Sequence, residues 1–312
     1  MIISEGKKIE FKVVAVVQAR LGSVRFPGKV LKKVNDKTLI EILLKRLSQS
    51  STIDQVILAT SEKVTDDLLC SHVKDIGFDI YRGNELDLLD RYYKAALIGN
   101  ADIVIRITGD CPLIDSAVVD QVVDFLKNED VDYASNTMPP TYPNGLDTAV
   151  FRFSALEKAW REATEKFDRE HVTPYMKRDP SLHRKTLRYN DDLSLMRWTV
   201  DEPEDYEVVR GVFEYFSPDI YFGWENVVSL VENAPEIFEA NKHLVRNEGS
   251  SLSNQQKLFK RASKCHIPTV VRKSTNVLNR EKEEELLFLK RSQGCSVIDN
   301  DGKEYIDMGM EV

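Results

Sequence analysis

At 312 residues the chain can hold one large domain or two modest ones around a sizeable core. Its 42% hydrophobic and 30% charged residues are those of an ordinary globular protein, and a net charge of −8 argues against nonspecific nucleic-acid binding. No apolar run reaches bilayer length, the first dozen residues lack a signal-peptide core, and Cys70, Cys111, Cys265 and Cys295 are too widely spaced for a zinc site, so a reducing cytoplasm with no membrane partner is expected.

In chain order, Val13–Val17 are five consecutive β-formers and predict a strand buried on both faces. The strand opens into Gln18–Lys29, a loop with two glycines, a serine, a proline and three cations. Thr38–Leu47 has apolar residues at helical spacing with Thr38 as N-cap, Gln55–Thr60 reads as a second buried strand, and Thr65-Asp66-Asp67 should cap a helix that ends at Gly77. A short strand at Phe78–Tyr81, a helix at Leu86–Ile98, a strand at Asp102–Thr108 and a helix at Ser116–Leu126 follow. This β–α alternation with short connections is the pattern of a parallel sheet flanked by helices.

After Val131–Ser135 the rhythm changes. Asn136–Asn144 reads as a loop or lid, Thr148–Phe153 as a strand, and a helix capped by Ser154 runs to about Lys166. Asp168–Lys177 holds the cluster Arg169-Glu170-His171. Lys185–Tyr189 and Met196–Val200 read as short strands, Glu204–Phe216 and Glu225–Val231 as helices. Antiparallel additions to the sheet are expected in this half. Asn247–Gln256 has linker composition, and Val297–Asp307 reads as a hairpin around Asp301-Gly302.

The chemistry concentrates at predicted strand ends. Glycines let backbone N–H groups of Gln18, Ala19, Gly22 and Ser23 approach a polyanion, Arg20 and Arg25 suit bidentate phosphate contact, and Lys29 is a point charge for the reacting phosphate. A solvated basic loop is the competing reading, but open α/β sheets bind ligands at this edge. The order is not that of a P-loop. Asp110, in Gly-Asp-Cys-Pro, and Asp201, in Val-Asp-Glu-Pro, each read alone as turn or cap aspartates. Together, facing the cationic loop, they could hold one Mg²⁺ or Mn²⁺ among triphosphate oxygens. Thr60-Ser61 and Arg82-Gly83 could read a base or ribose, with helix capping as the alternative for the first pair. Arg106, inside a strand, needs an anionic partner and is assigned to the nucleotide. Asp147, Glu170, His171 and Arg197 are the candidate sugar contacts, with acid/base residues as an alternative for Glu170-His171 and a core or interface histidine as the other reading of His171.

Seven ordered motifs, QARLGSVRFPGK, LATS, YRGNELDLLDRY, VIRITGDCPLID, NGLDTAVF, REHVTPYM and RWTVDEPEDY, resemble the spore coat polysaccharide biosynthesis protein F family from about residue 11 to 245. That family is similar to the acylneuraminate and CMP-KDO cytidylyltransferases. The resemblance implies a three-layer α/β/α, Rossmann-like fold of the nucleotide-diphospho-sugar transferase kind. It also implies transfer of CMP from CTP to a sugar, such as a nonulosonic acid, for surface polysaccharide synthesis, by a homodimer. Metal binding at Asp110 and Asp201 and triphosphate binding at Arg20–Lys29 are implied by the same match. The loop departs from the wording of the sugar-acid enzymes, so their sugar choice is not carried over. A sugar-1-phosphate acceptor and a non-catalytic nucleotide-binding module are the rival readings.

KLFKRASKCHIPTVVR and SQGCSVIDNDGKEYIDMGMEV resemble the opening of the class III aminotransferases, especially glutamate-1-semialdehyde aminomutase. In that family the pyridoxal phosphate lysine lies far downstream of such an opening, so neither pyridoxal phosphate nor aminotransferase activity is expected here. The expected division is therefore a cytidylyltransferase-like domain at 1–246, a linker at 247–256 and a truncated aminotransferase-like extension at 257–312.

Overall fold

The computed structural model describes residues 11–244 and 246, and the backbone of 289–293, 296–299 and 304–306. The chain divides into two compact units, Met1–Leu244 and Val245–Val312. In the first, the run of β-formers becomes β1 (Val13–Gln18), and every residue from Val13 to Val17 is at most 1% exposed. Alternate residues of β1 enter two different apolar layers, which is why the strand carries no polar face. Val13, Ala15 and Val17 pack with α1 (Leu39–Leu47), α2 (Asp67–Asp75) and α4 (Ser116–Glu129). Val14 and Val16 pack with α3 (Leu88–Ile98) and α5 (Phe153–Glu162) on the other side. The result is the expected three-layer α/β/α sandwich.

β1 lies between β2 (Gln55–Ser61) and β4 (Ile103–Thr108), parallel to both, and β2 carries β3 (Asp79–Gly83) at one edge. Beyond β4 the sheet continues with β6 (Ala149–Arg152), antiparallel, then β5 (Tyr133–Ser135) and β7 (Arg184–Thr186), giving the order β3-β2-β1-β4-β6-β5-β7. The expected antiparallel additions are therefore β6 against β4 and against β5. β1 and β4 are neighbours whose chains leave at the same edge, so the loops that follow them face one crevice.

Several local expectations shift. Met196–Val200 is not a strand: it is held by a single bridge between Asn144 and Arg197, with Asn144 N–H donating to Met196 and Trp198 N–H donating to Asn144. The helix expected to reach Lys166 ends at Glu162, without a Ser154 cap, and α6 (Lys166–His171) and α7 (Pro174–Arg178) follow as separate short helices. α8 (Pro203–Tyr215) and α9 (Trp224–Asn233) form a further apolar layer with the outer side of α1 and with Trp198. Arg46 on α1 ties this layer together by donating to the carbonyls of Ile114, Ile220 and Phe222 at 2.8, 2.6 and 3.1 Å.

In the second unit β8 (Leu289–Gln293), β9 (Ser296–Asp299) and β10 (Glu304–Ile306) form an antiparallel sheet. Val297 pairs with Tyr305, and the expected turn at Asp301-Gly302 lies outside the described residues. The expected linker at 247–256 and the remainder of the aminotransferase-like segment lie outside the described residues.

Candidate active site

The loop after β1 is pinned at its base and open at its tip. Ala19 N–H donates to Ala59 of β2, and Gly109 N–H donates to Gln18 at 2.7 Å. A Cβ at position 109 would stand 2.7 Å from Ala19 Cβ and 2.8 Å from the Gln18 carbonyl, so this crossing admits only glycine. Gln18 Oε1 accepts from Tyr92 Oη at 3.2 Å. Farther out, Leu21 N–H donates to Asp66 Oδ1 at 2.8 Å, and Gly28, at φ +68°, donates back to Leu21 and turns the chain into Lys29. Ser23 Oγ accepts from Phe26 N–H at 3.4 Å inside the loop. Arg20, Gly22, Val24 and Arg25 are exposed along the rim.

Lys29 is buried, and its ammonium meets three oxygens: Asp110 Oδ2 at 3.0 Å, Asp201 Oδ1 at 2.9 Å and the Val200 carbonyl at 2.6 Å. All three of its hydrogens are thereby committed. Burial pulls its pKa down, but Asp110 and Asp201 outweigh that and hold it above the usual lysine value. Burial likewise pushes the Asp110 carboxyl up, and Lys29 with the Thr108 hydroxyl brings it down to about 2. Arg25 reaches Asp201 from the rim, 2.9 Å from its Oδ1, and lies 3.5 Å from Glu202.

Behind Asp201 stands a fully buried pair. Arg197 Nε and Nη2 donate to the two Asp205 oxygens at 2.8 Å each, and Asp205 Oδ2 also accepts from the backbone N–H of Asp201 and Glu202, both at 2.9 Å. Asn241 Nδ2 donates to Asp205 Oδ1 at 2.9 Å. Arg197 was expected at the sugar. Its guanidinium fork is instead spent on Asp205, a correction that makes it a support of Asp201.

Other expectations also need correction. Thr60 and Ser61 are at most 1% exposed, and both hydroxyls donate to Asp66 Oδ2, so they hold the aspartate that anchors the loop and present no free hydroxyl to a base. Arg82 donates to the Ser61 and Lys63 carbonyls and to Asp67, closing on its own neighbourhood. Gly83 is crowded, with a Cβ there only 2.8 Å from Arg91 Cγ. Arg20 pairs with Glu85 at 3.3 Å at the rim.

The remaining expected residues lie on other elements. Arg106, on β4, faces the layer of α3 and α5, and its Nε is buried without a hydrogen-bond partner. Asp147 is half-buried after Gly145, Glu170 is exposed, and His171 meets the Phe167 ring edge-on at 4.5 Å. Reasoning from sequence missed the parts played by Asp66 and Asp205, which hold the loop and Asp201 in place. Only Asp205 carried a signal: it stands three residues after Glu202 with Pro203 between, the spacing of a helix-start box.

Chemically, the convergence of two carboxylates on one ammonium makes a place where positive charge is already held. Asp110 and Asp201 fit a divalent cation as hard oxygen donors. Among the described residues no group of three or more His, Cys, Asp or Glu converges, so a cation held here would complete its shell with substrate oxygens and water.

Comparison with known proteins gives a consistent result. A family model described as cytidylyltransferase matches residues 14–244. The spore coat polysaccharide biosynthesis protein SpsF of Bacillus subtilis is 33% identical over 236 residues, covering 72% of this chain and 95% of that protein. A partial match, 34% identity over 114 residues, covers 36% of this chain and 44% of 3-deoxy-manno-octulosonate cytidylyltransferase from Solibacter usitatus. The structure of a cytidylyltransferase from Leptospira borgpetersenii superposes with a TM-score of 0.70 at 34% identity, covering 73% of this chain and 97% of that one.

Proposed function

This chain belongs to the cytidylyltransferase family of nucleotidyltransferases, and on that premise we propose that it transfers CMP from CTP to a sugar hydroxyl with release of pyrophosphate. The observation that carries this reading is the meeting of Lys29, Asp110 and Asp201 beneath a loop lined with arginines. The SpsF relative's name supports a role in surface polysaccharide synthesis.

In the proposed reaction the acceptor oxygen attacks the α-phosphorus in line, and the bond to the bridging oxygen breaks as pyrophosphate leaves. Arg20 and Gly22 offer backbone N–H groups toward the phosphates, and the Arg20 and Arg25 side chains leave Glu85 and Asp201 to take them. Lys29 keeps Asp110 ionised and ties it to Asp201, and turns one N–H toward the α-phosphate by giving up a carboxylate. A divalent cation, held by Asp110 and Asp201, would supply neutralising charge to the triphosphate.

Pyrophosphate release tests this: the purified chain is given each of the four nucleoside triphosphates with sugar acids and sugar 1-phosphates, with and without EDTA. CTP-dependent release that EDTA abolishes and Mg²⁺ or Mn²⁺ restores is expected. Release from no triphosphate, or full activity in Asp110→Asn, would overturn it.

A further inference from the structure

Asp201 Oδ1 is shared by two cations, Arg25 Nη2 and Lys29 Nζ, each at 2.9 Å. The other oxygen of Asp201 faces the buried Arg197 guanidinium at 3.6 Å. Asp110 Oδ2 lies 3.0 Å from the same Lys29 ammonium. Asp201 Oδ1 and Asp110 Oδ2 are therefore the oxygens that a cation held between the two aspartates would meet. The two cations on Oδ1 are not equally held. The Lys29 side chain is 9% exposed and keeps Asp110 and the Val200 carbonyl as partners. The Arg25 side chain is 41% exposed, and its other partner is Glu202 at 3.5 Å. Arg25 is the one that can leave.

The loop delivers Arg25 to this place from a fixed base. Gly28 N–H donates to the Leu21 carbonyl at 3.1 Å and Leu21 N–H donates to Asp66, so residues 22–27 hang from a closed neck. Phe26, next to Arg25, meets the ring of Tyr206 on α8 edge-on with centroids 6.1 Å apart, and Tyr206 Oη donates to the Lys33 carbonyl at 2.7 Å. That contact brings the tip beside the start of α8, where Asp201 and Glu202 stand. The Arg25 guanidinium can thus turn between Asp201 and the crevice on its own side-chain torsions, with the neck of the loop unmoved.

We propose that Arg25 is a positioning residue that covers Asp201 against a divalent cation until a triphosphate draws it away, so that cation and nucleotide binding are coupled through its side chain. The inference rests on the cytidylyl-transfer reading and says how the two charged ligands of that reaction come to bind together. One guanidinium cannot sit on Asp201 Oδ1 and on phosphate oxygens at once. A triphosphate that takes Arg25 uncovers Oδ1, and a cation on Oδ1 turns Arg25 out toward the phosphates. Each event therefore favours the other by the same factor. Arg20 supplies the contrast on the same loop: its partner at 3.3 Å is Glu85, so its departure leaves Asp201 covered. A half-exposed ion pair limits the coupling to about fivefold.

Mn²⁺ binding to the full chain without nucleotide, read from the electron paramagnetic resonance of the free ion, isolates the effect. Arg25→Gln should bind Mn²⁺ about fivefold more tightly than the wild type, a gain that loss of a merely structural contact does not produce. Arg20→Gln removes the same charge from the same loop and should leave Mn²⁺ affinity within about twofold. Calorimetry in EDTA should show both variants binding CTP more weakly. The factor by which CTP tightens Mn²⁺ binding should be smaller in Arg25→Gln than in the wild type. Unchanged or weaker Mn²⁺ binding in Arg25→Gln, an equal gain in Arg20→Gln, CTP affinity untouched by Arg25→Gln, or no Mn²⁺ binding by either protein would overturn the coupling. The Mn²⁺ measurement needs no turnover. A chain that shows the gain but releases no pyrophosphate from CTP sinks the cytidylyl-transfer reading alone, and one that releases it without the gain sinks the coupling alone.

Discussion

The backbone N–H of Val200 donates to the carbonyl oxygen of Asp110 at 2.7 Å, and this bond sets the spacing of the two carboxylates. Asp110 hangs from the end of β4, whereas Asp201 belongs to a segment outside the sheet. Lys29 closes the arrangement by donating to the Val200 carbonyl and to both carboxylates. Asp201 is consequently positioned by backbone bonds on both sides of Val200 and by Asp205 behind it.

Gly145 is where that positioning is most exposed to substitution. At φ +121° its Cβ position would lie 2.8 Å from the Trp198 carbonyl carbon and 3.0 Å from Thr199 N, both backbone atoms that cannot step aside. Gly145→Ala should lower stability by about 2 kcal/mol, through the disfavoured φ and the forced separation of the two strands of backbone. Thermal unfolding measures the first effect. Pyrophosphate release should fall at least tenfold at a temperature where the variant remains folded; unchanged activity would show that the Asn144–Trp198 contact does not set Asp201.

Lys29→Met removes the charge that holds two carboxylates together. Asp110 then loses its cation and faces Asp201, which keeps Arg25 at the rim, so the folded state should lose stability as pH rises through the range in which Asp110 ionises. Turnover should fall by about 10²–10³, the usual cost of losing a preorganised cation at a reacting phosphate. Lys29→Met combined with Asp110→Asn should recover the stability and leave the activity low. A double variant as unstable as the single one would mean that Lys29 supports the fold through packing alone.

How much of this was legible in sequence follows from where the information sits. Strands buried on both faces, such as Val13–Val17, announce themselves through unbroken runs of β-formers, and short β–α connections leave few topologies. Asp110 and the cationic loop were readable because they follow such strands directly. Asp201 was found although its supporting strand was not one, since the Val-Asp-Glu-Pro turn marks the start of α8. The residues misread are those whose side chains the folded backbone turns onto a partner, here only five to eight residues away. Arg197 reads as a sugar contact until Asp205 takes its guanidinium fork, and Thr60-Ser61 read as ligand contacts until Asp66 takes both hydroxyls. Arg46 interrupts the apolar face of α1 for carbonyls 68 and more residues away, which no periodicity can anticipate.

Asp66 connects the end of β2 to the phosphate loop through Leu21 N–H. Asp66→Ala leaves Thr60, Ser61 and Leu21 donors without their acceptor, a loss of about 1–3 kcal/mol in a buried setting. The consequence for function is specific. The loop keeps its cations but loses their fixed placement, so the KM for CTP should rise about tenfold while kcat changes less. A drop in kcat with unchanged KM would assign the loop to the chemical step and not to triphosphate capture.

The Arg197–Asp205 pair predicts how stability depends on pH. Burial pushes the Asp205 carboxyl up, but the Arg197 fork, the Glu202 N–H and the Asn241 amide outweigh it and hold the carboxyl below its ordinary value. A folded-state pKa below the unfolded one means the unfolded chain binds the proton first. The contribution of Asp205 is therefore complete above about pH 4 and is lost as pH falls through its lower folded-state value. Arg197 stays charged throughout this window and adds no slope of its own. Asp205→Asn keeps the shape and removes the charge, leaving a buried guanidinium unpaired, so it should cost about 3 kcal/mol at pH 7. Urea unfolding from pH 7 to pH 2.5 should show the variant's deficit shrinking as the wild type loses the same interaction below pH 4. A deficit constant across that range would show that the pair acts through hydrogen-bond geometry alone. The same variant frees the backbone N–H groups of Asp201 and Glu202 from their charged acceptor, so its turnover should fall even at pH 7, where enough protein remains folded to measure it.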